Sequence, residues 1–564
     1  MKPALPPFPR LSEPVAAALL GCIVLAYVAH CWLFIGQIND DAFITFRYSR
    51  NLAAGVGPYY NPGEHVEGYT NFLQMVLLAP VIAIGGETAA LPVAKALGLL
   101  GGAAALVLVY ATAQVLARGE AAAGTAQAAG LLGAALSAAS PGFAQNSTTG
   151  LETTLFAALI GAGVCLGIRT VGDRRWHGAG VAFGAALLTR PEGAAVFASF
   201  WCVAAVSVLR PTLKRMRATA PRGVGLAAAI VREPLVIDAL TVAGVFLAHL
   251  AFRFLAYDGE WLPNTYFAKV GGYWKVSPVA YLRAGLLAPL LGPVGVVAAL
   301  AGLALARPAW GRTLAAASIP ATGAALLFFA GTDWMPGHRL TMPYLPLAAL
   351  VVASGWVGLA NAIPARWRWR SWVASGAIVA LVFVAFLSQS KERALLRNWV
   401  RVRAEGYVTG HQALAAWLRR NAAPGSSVAL MDIGLVGYLC PDLRILDVTG
   451  LTDRHIAKSP GVFLRKEYDP AYVFDRRPDF IVLVLKAPGD SSRPPPPDTA
   501  WRCWSSVEER LAQAREFARY TRRDPQPPAD DWKGILAWKF GAERVFEHRH
   551  PGLYYLLAVF RRTG

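Results

Sequence analysis

The chain has 564 residues, a net charge of +19, 55% hydrophobic residues and a mean hydropathy of +0.40. A soluble chain of this length splits into several polar-surfaced domains, whereas here apolar runs long enough for a helix to cross a bilayer recur as far as residue 389. Without a nucleic-acid-binding motif, the basic excess points to Lys and Arg in cytoplasmic loops of a membrane protein rather than to DNA or RNA.

In chain order, the first apolar run covers 14–36. Lys2 and Arg10 precede it, no small-residue cleavage site follows, and Asp40 and Asp41 come next, so it reads as an uncleaved first span. Further runs cover 71–86, 92–116, 121–139, 153–170, 177–190, 193–209, 235–256, 282–305, 313–331, 344–361 and 372–389. Together they predict a polytopic α-helical membrane protein of about 11–12 membrane segments. After Ser390 hydropathy falls, and a charged helical stretch, Lys391–Arg420, leads into strand-like runs at Val428–Met431, Ile445–Val448 and Phe480–Leu485. That order predicts a membrane domain over 1–389 and a soluble α/β domain over 390–564. Arg493–Pro497 and Asp524–Pro528 read as proline-rich loops. Cys440 and Cys503 fall in the tail and could pair if it lies outside the cytoplasm.

Basic clusters at Arg169, Arg174 and Arg175; at Arg210, Lys214, Arg215, Arg217 and Arg222; at Arg307 and Arg312; and at Arg366, Arg368 and Arg370 set the orientation. They alternate consistently on the cytoplasmic side, with the N-terminus and Arg118, if the short run 71–86 is re-entrant or juxtamembrane. The tail is then outside. So are five polar segments, Asp40–Thr70, Ser140–Glu152, Arg190–Gly193, Asp258–Lys269 and Gly331–Arg339. Ionisable groups beside apolar spans tend to line a functional cavity, so the five segments are expected to converge on one outward-facing site. The plainer reading is that they are hydrophilic loops.

The first of these segments reads Ile38-Asn-Asp-Asp-Ala-Phe-Ile-Thr-Phe-Arg-Tyr-Ser-Arg-Asn-Leu, then Asn61-Pro-Gly-Glu-His-Val-Glu-Gly-Tyr-Thr-Asn. Gly150-Leu-Glu-Thr, Arg190-Pro-Glu-Gly, Pro263-Asn-Thr-Tyr-Phe-Ala-Lys269 and Gly331-Thr-Asp-Trp-Met-Pro-Gly-His-Arg339 follow. The tail adds Asp432-Ile-Gly, Gly437-Tyr and Leu446-Asp-Val-Thr-Gly-Leu-Thr-Asp453. This ordered set resembles the GT-C class of membrane glycosyltransferases, in particular the mycobacterial terminal arabinofuranosyltransferases and their bacterial relatives. The resemblance covers nearly the whole chain. It implies a GT-C-like fold in a bacterial plasma membrane. It also implies transfer of a sugar, arabinofuranose as the best single guess, from a polyprenyl-phosphate donor to a cell-envelope glycan on the outer face.

For that chemistry a carboxylate takes the proton of the acceptor hydroxyl as an oxocarbenium-like state forms. The resemblance points to Asp40 or Asp41. Asp41 is favoured, with Asp40 as substrate or metal ligand, and the reverse order stays open. The plainer alternative is that Asp41 caps the helix beginning near Ala42. Departure of the lipid phosphate needs cations, for which Lys269, Arg339, His338 and Arg190 are the candidates. Snorkelling to lipid headgroups, or pairing of Arg190 with Glu192, are the ordinary readings. Glu152, Asn264, Tyr266, Asp333 and Trp334 are candidate substrate contacts. Glu152 and Asp333 could also join the Asp pair around a divalent cation such as Mg, Mn or Ca. Glu64, His65 and Glu67 have loose ligand-like spacing but sit in a predicted turn at Asn61-Pro-Gly. No phosphate-binding or dinucleotide loop is present. Competing readings are a flippase or transporter of lipid-linked sugar, disfavoured by the lack of an internal repeat; a scaffold that binds such lipids; and, within the class, a mannosyl-, aminoarabinosyl- or protein O-glycosyltransferase.

Overall fold

The structure, a computed structural model, describes residues 8–117, 123–219, 233–269, 276–305, 310–363, 369–491, 493–496, 498–522 and 531–563. Arg118, Arg222, Arg307, Arg366, Arg368 and the proline-rich stretch at 524–528 lie outside them, as do the side chains of Arg210, Lys214, Arg215 and Arg217.

Among the described residues seven helices are long and apolar enough to cross a membrane: Glu13–Trp32, Glu87–Leu116, Thr153–Asp173, Pro234–Ala256, Trp310–Ala330, Met342–Asn361 and Arg370–Ser388. Pro278–Leu290 and Gly292–Leu305, bent by 72° at their junction, could form an eighth span. Phe72–Gly85, Ala179–Thr189 and Gly193–Ser207 are shorter apolar helices. The chain is a multi-pass helical membrane protein with a small C-terminal sheet, as its hydropathy predicts. The helix Phe72–Gly85 has 14 residues, about 21 Å at 1.5 Å per residue, short of a hydrocarbon core of about 30 Å.

The chain divides into two compact units that interleave along the sequence. The first comprises Met1–Ile35, Ala94–Ala251 and Trp274–Leu396. Its core is aliphatic and aromatic, with Phe156, Ile160, Val164, Phe183, Phe200 and Ile319 all buried. The helices Gly292–Leu305 and Leu345–Asn361 touch backbone to backbone, because a Cβ on Gly355 would overlap the carbonyl of Ala298. Small residues allow such close packing where no hydrophobic drive separates helix from lipid.

The second unit comprises Gly36–Val93, Phe252–Tyr273 and Arg397–Gly564. Its centre is a mixed sheet of β1 (Ser427–Leu430), β2 (Arg444–Asp447), β3 (Phe480–Pro488), β4 (Arg502–Cys503), β5 (Arg544–Glu547) and β6 (Leu553–Arg561). The order is β2-β1-β3-β6-β5, with β4 paired to β3. β1 is parallel to β2 and β3, while β6 runs antiparallel to β3 and β5. β3 is apolar on both faces and buried from Phe480 to Leu485, the pattern of a strand covered on both sides. The helix Asp40–Ala53 packs against the helices Phe72–Gly85 and Ile433–Leu439 of the same unit. Its hydrophobic contribution comes from Ile44 and Tyr48, which join the core formed by the sheet. Cys440 is a buried free thiol and Cys503 is also free.

Candidate functional site

In the second unit, the helix Asp40–Ala53 is capped by Asn39, whose side chain accepts the N–H of Asp41 at 3.2 Å. The cap is therefore Asn39 and not Asp41, because the helix starts at Asp40, two residues before its first apolar residue, Ala42. The Asp40 carboxylate accepts the N–H groups of Gly434 (2.9 Å) and Leu435 (2.7 Å), at the start of the helix Ile433–Leu439. Burial, followed by the nearby Asp432 charge, pushes the Asp40 carboxyl up to about 6.

Asp432 lies in the opposite situation. Burial alone would raise its pKa, but hydrogen bonds from His411 and Tyr555 and the charge of Arg403 hold it below the ordinary value. His411 Nε2 is 3.0 Å from Asp432 Oδ2, and its Nδ1 is 3.1 Å from Nδ1 of His548. Arg403 donates to the Tyr407 hydroxyl at 2.8 Å, and that hydroxyl also accepts the N–H of Asp40 at 3.3 Å. Two adjacent carboxyls thus have different surroundings: Asp40 belongs to a buried polar network, and Asp41 stands half-buried on the first turn of its helix.

The FRYSRN stretch of that helix proves to be an anchor. Arg47 is fully buried. It donates to the carbonyls of Tyr60 (2.8 Å), Leu443 (2.9 Å), Cys440 (3.3 Å) and Gly437, and to Asn61 Oδ1 (3.2 Å). A guanidinium fork suits this because its five donors are fixed in one plane. Glu67 and Arg253, both buried, pair at 2.5 Å. Glu64 pairs with Arg444 at 2.7 Å and His65 meets Asp258 at 2.8 Å, so the predicted turn is held by side-chain contacts at both residues. Asn264 spends its amide on the carbonyls of Gly450 (2.8 Å), Leu451 (3.0 Å) and Asp453 (3.2 Å). Tyr266 and Lys269 are exposed, with Lys269 Nζ 5.7 Å from the centre of the Phe463 ring.

The first unit gathers the other candidates. Ser140–Glu152 and Gly331–Arg339 are joined through Asn146, which donates to the carbonyl of Gly337 at 2.8 Å. Arg190 ends the helix Ala179–Thr189 in an extended conformation. Its Nε lies 2.8 Å from Glu192 and 3.7 Å from Glu152. Burial works against the Arg190 charge, yet Glu192 and then Glu152 outweigh it, while Arg339 opposes them as a like charge. Arg339 pairs with Asp333. The buried Tyr281 hydroxyl accepts the N–H of Leu340 at 3.3 Å. Burial pushes His338 below the usual imidazole range, so it enters this cluster as a neutral group and not as a cation. Its ring meets that of Tyr281 edge-on at 5.0 Å. Trp334 is exposed.

Three of the five polar segments therefore meet within the first unit and two within the second. Among the described residues, no three His, Cys, Asp or Glu side chains come together as a metal site would require. In the first unit Glu192 and Glu152 pair with Arg190, and Asp333 pairs with Arg339. Sequence reading passed over Arg47, His411, Asp432 and Tyr281. Arg47 and Asp432 lay in quoted motifs without standing out there, and the partners of His411 and Tyr281 are far away in the chain.

No curated protein matches the chain by sequence. A family description, "Domain of unknown function (DUF8728)", matches residues 397–535. The crystal structure of ArnT from Cupriavidus metallidurans bound to undecaprenyl phosphate is similar at 14% identity and a TM-score of 0.51, covering 84% of this chain and 93% of that one. The apo state of the same protein is similar at 14% identity and a TM-score of 0.49, over 84% and 92% of the two chains. The cryo-EM structure of the arabinosyltransferase EmbB from Mycobacterium smegmatis is similar at 13% identity and a TM-score of 0.41, over 74% and 44%. The fold is thus the GT-C-like one that the motifs imply, shared with ArnT along most of both chains.

Proposed function

We propose that the chain is a glycosyltransferase that moves a sugar from a polyprenyl-phosphate donor to a cell-envelope glycan on the outer face of a bacterial plasma membrane, with the C-terminal domain also outside the cytoplasm. The observation that carries this reading is the Arg190–Arg339 cluster, in a fold shared with a protein whose structure holds undecaprenyl phosphate. Two guanidinium groups held in place by Glu192, Glu152 and Asp333 supply preorganised donors for a phosphate that gains charge as it leaves. His338, being neutral, contributes a hydrogen bond, and Lys269 stays a candidate cation within the second unit.

In the proposed reaction Asp41 accepts the proton of the acceptor hydroxyl as that oxygen bonds to the anomeric carbon. The bond from that carbon to the phosphate oxygen breaks, and its electron pair stays on the polyprenyl phosphate. Asp40 is a positioning residue that fixes the start of the Asp40–Ala53 helix through Gly434 and Leu435. Glu152, Asp333, Trp334 and Tyr266 remain candidate contacts for the sugar. Asn264 acts on the loop Gly450–Asp453 and so reaches the substrate only indirectly. Arabinofuranose is the best single donor sugar on the motif resemblance.

The test is transfer from synthetic polyprenyl-phosphate sugars (arabinofuranose, aminoarabinose, mannose) to short glycans by the purified protein. Transfer by the wild type and its loss in a folded Asp41→Asn variant are expected. Full activity in Asp41→Asn overturns the mechanism, and absence of transfer from every donor overturns the reading.

A further inference from the structure

The second unit contains a cavity of about 760 Å3 that the proposed transfer step leaves unused. Its size lies in the range of about 300–1,000 Å3 typical of ligand pockets. Arg444, Asp453, Arg454, His455, Lys458 and Arg476 line it, together with Tyr472.

The floor is rigidly built. The Asp447 carboxylate accepts the N–H groups of Thr449 (2.8 Å), Gly450 (3.2 Å) and Thr452 (2.7 Å) and the hydroxyls of both threonines. Gly450 has φ +88°, and a Cβ there would also collide with the backbone of Ala457. One wall is a stack in which the Tyr472 ring lies 4.0 Å from that of His455 and 3.5 Å from the Arg476 guanidinium. The Tyr472 hydroxyl donates to Asp453 at 3.0 Å. Further lining residues are tied by Glu64–Arg444 at 2.7 Å and by Lys458 to Glu260 at 2.5 Å.

The charges on these walls largely cancel in pairs, which disfavours a strongly anionic ligand. Most of the lining residues are ionisable or polar, which disfavours the polyprenyl chain. Carboxylates beside guanidinium groups in a fixed frame suit a ligand that donates and accepts hydrogen bonds all along its length. A preformed frame also spares the ordering cost of binding. We infer that this groove binds the acceptor glycan beyond the sugar being modified, as an extended neutral oligosaccharide. The inference rests on the transferase reading above.

The experiment uses the full-length protein in detergent with neutral hexasaccharides and disaccharides of arabinofuranose and of mannose. Binding is read by saturation-transfer NMR without donor, and transfer kinetics are read with it. A KM for one hexasaccharide about tenfold below that of its disaccharide is expected. Arg476→Ala and His455→Ala are expected to raise the hexasaccharide KM about tenfold, with kcat within about twofold. Should either variant melt earlier than the wild type, Arg476→Lys and Lys458→Gln replace it, with the same KM increase expected. Equal KM values for both lengths, or unmoved KM in folded variants, overturn the groove assignment while leaving transfer intact. Hexasaccharide binding that Arg476→Ala abolishes, without transfer from any donor, supports the groove and overturns the transferase reading instead.

Discussion

The carboxylate of Asp40 accepts the N–H of Leu435 at 2.7 Å, across 395 positions of sequence. Asp41 follows it directly, on the first turn of the same helix, where its own N–H is taken by the Asn39 side chain. The two acids should therefore separate in experiment. Asp40→Ala leaves the N–H groups of Gly434 and Leu435 without their acceptor, and the expected cost is about 1–3 kcal/mol. Asp41→Asn should melt with the wild type yet lose transfer. Thermal unfolding followed by fluorescence, run beside the transfer assay, distinguishes these outcomes. Equal melting of wild type and Asp40→Ala would show that the bond contributes nothing.

Glu508 gives a pH signature. It is fully buried, closes a capping box with Ser505 and accepts the N–H of Val484 at 2.7 Å. Burial pushes its carboxyl up to about 8 from an unfolded value near 4.5. A folded pKa above the unfolded one means that the protonated form is stabilised on folding. That stabilisation is full below the unfolded value and is lost as pH rises through the folded one. The wild type should thus lose melting temperature between pH 5 and pH 9 relative to Glu508→Gln, which carries no titrating group there. Parallel profiles for the two proteins would contradict a protonated Glu508.

Arg47 is expected to matter for folding rather than for turnover. Arg47→Lys replaces a planar fork with a single point charge and leaves several of its five acceptors without a donor. With about 1–3 kcal/mol for each buried acceptor left unmet, the total should reach at least about 3 kcal/mol. Limited proteolysis should then cut the variant's second unit faster, while transfer per folded molecule stays close to that of the wild type. A folded variant with normal protease resistance would remove Arg47 from its anchoring role.

The spans were legible because length and apolarity determine them locally, and the short run 71–86 was legible as short. β1, β2 and β3 showed as apolar β-branched runs. β5 and β6 went unnoticed because Arg544–Glu547 is too short to signal alone, and Leu553–Arg561 lies beyond proline-rich sequence that suggested loops. Residue types at the site were readable, but their partners were not. Nothing near Asp40 in sequence announces Gly434, and nothing near His411 announces Asp432 or His548. The FRYSRN stretch belongs to the motif that carries the family resemblance, and its Arg47 serves the fold. The reason is that a buried guanidinium finds its acceptors through tertiary packing, which no local pattern encodes.

Arg190 and Arg339 share a cluster in which each has its own acidic partner, Glu192 and Asp333. Their roles in transfer can be resolved by charge removal. Arg190→Gln and Arg339→Gln each take away one preorganised donor for the leaving phosphate, a change typically costing about 100- to 1,000-fold in kcat. If both arginines act on the same phosphate, the double variant should lose less than the product of the single losses, since the second loss acts on an already weakened site. Glu192→Gln provides the control. It removes a charge that holds Arg190 in place, and its loss of activity should be smaller than that of Arg190→Gln. Affinity for a polyprenyl phosphate, measured by its stabilisation of the protein against heat, should fall in both arginine variants. Variants that keep kcat and polyprenyl-phosphate stabilisation would place the leaving group elsewhere, with Lys269 in the second unit the next cation to replace.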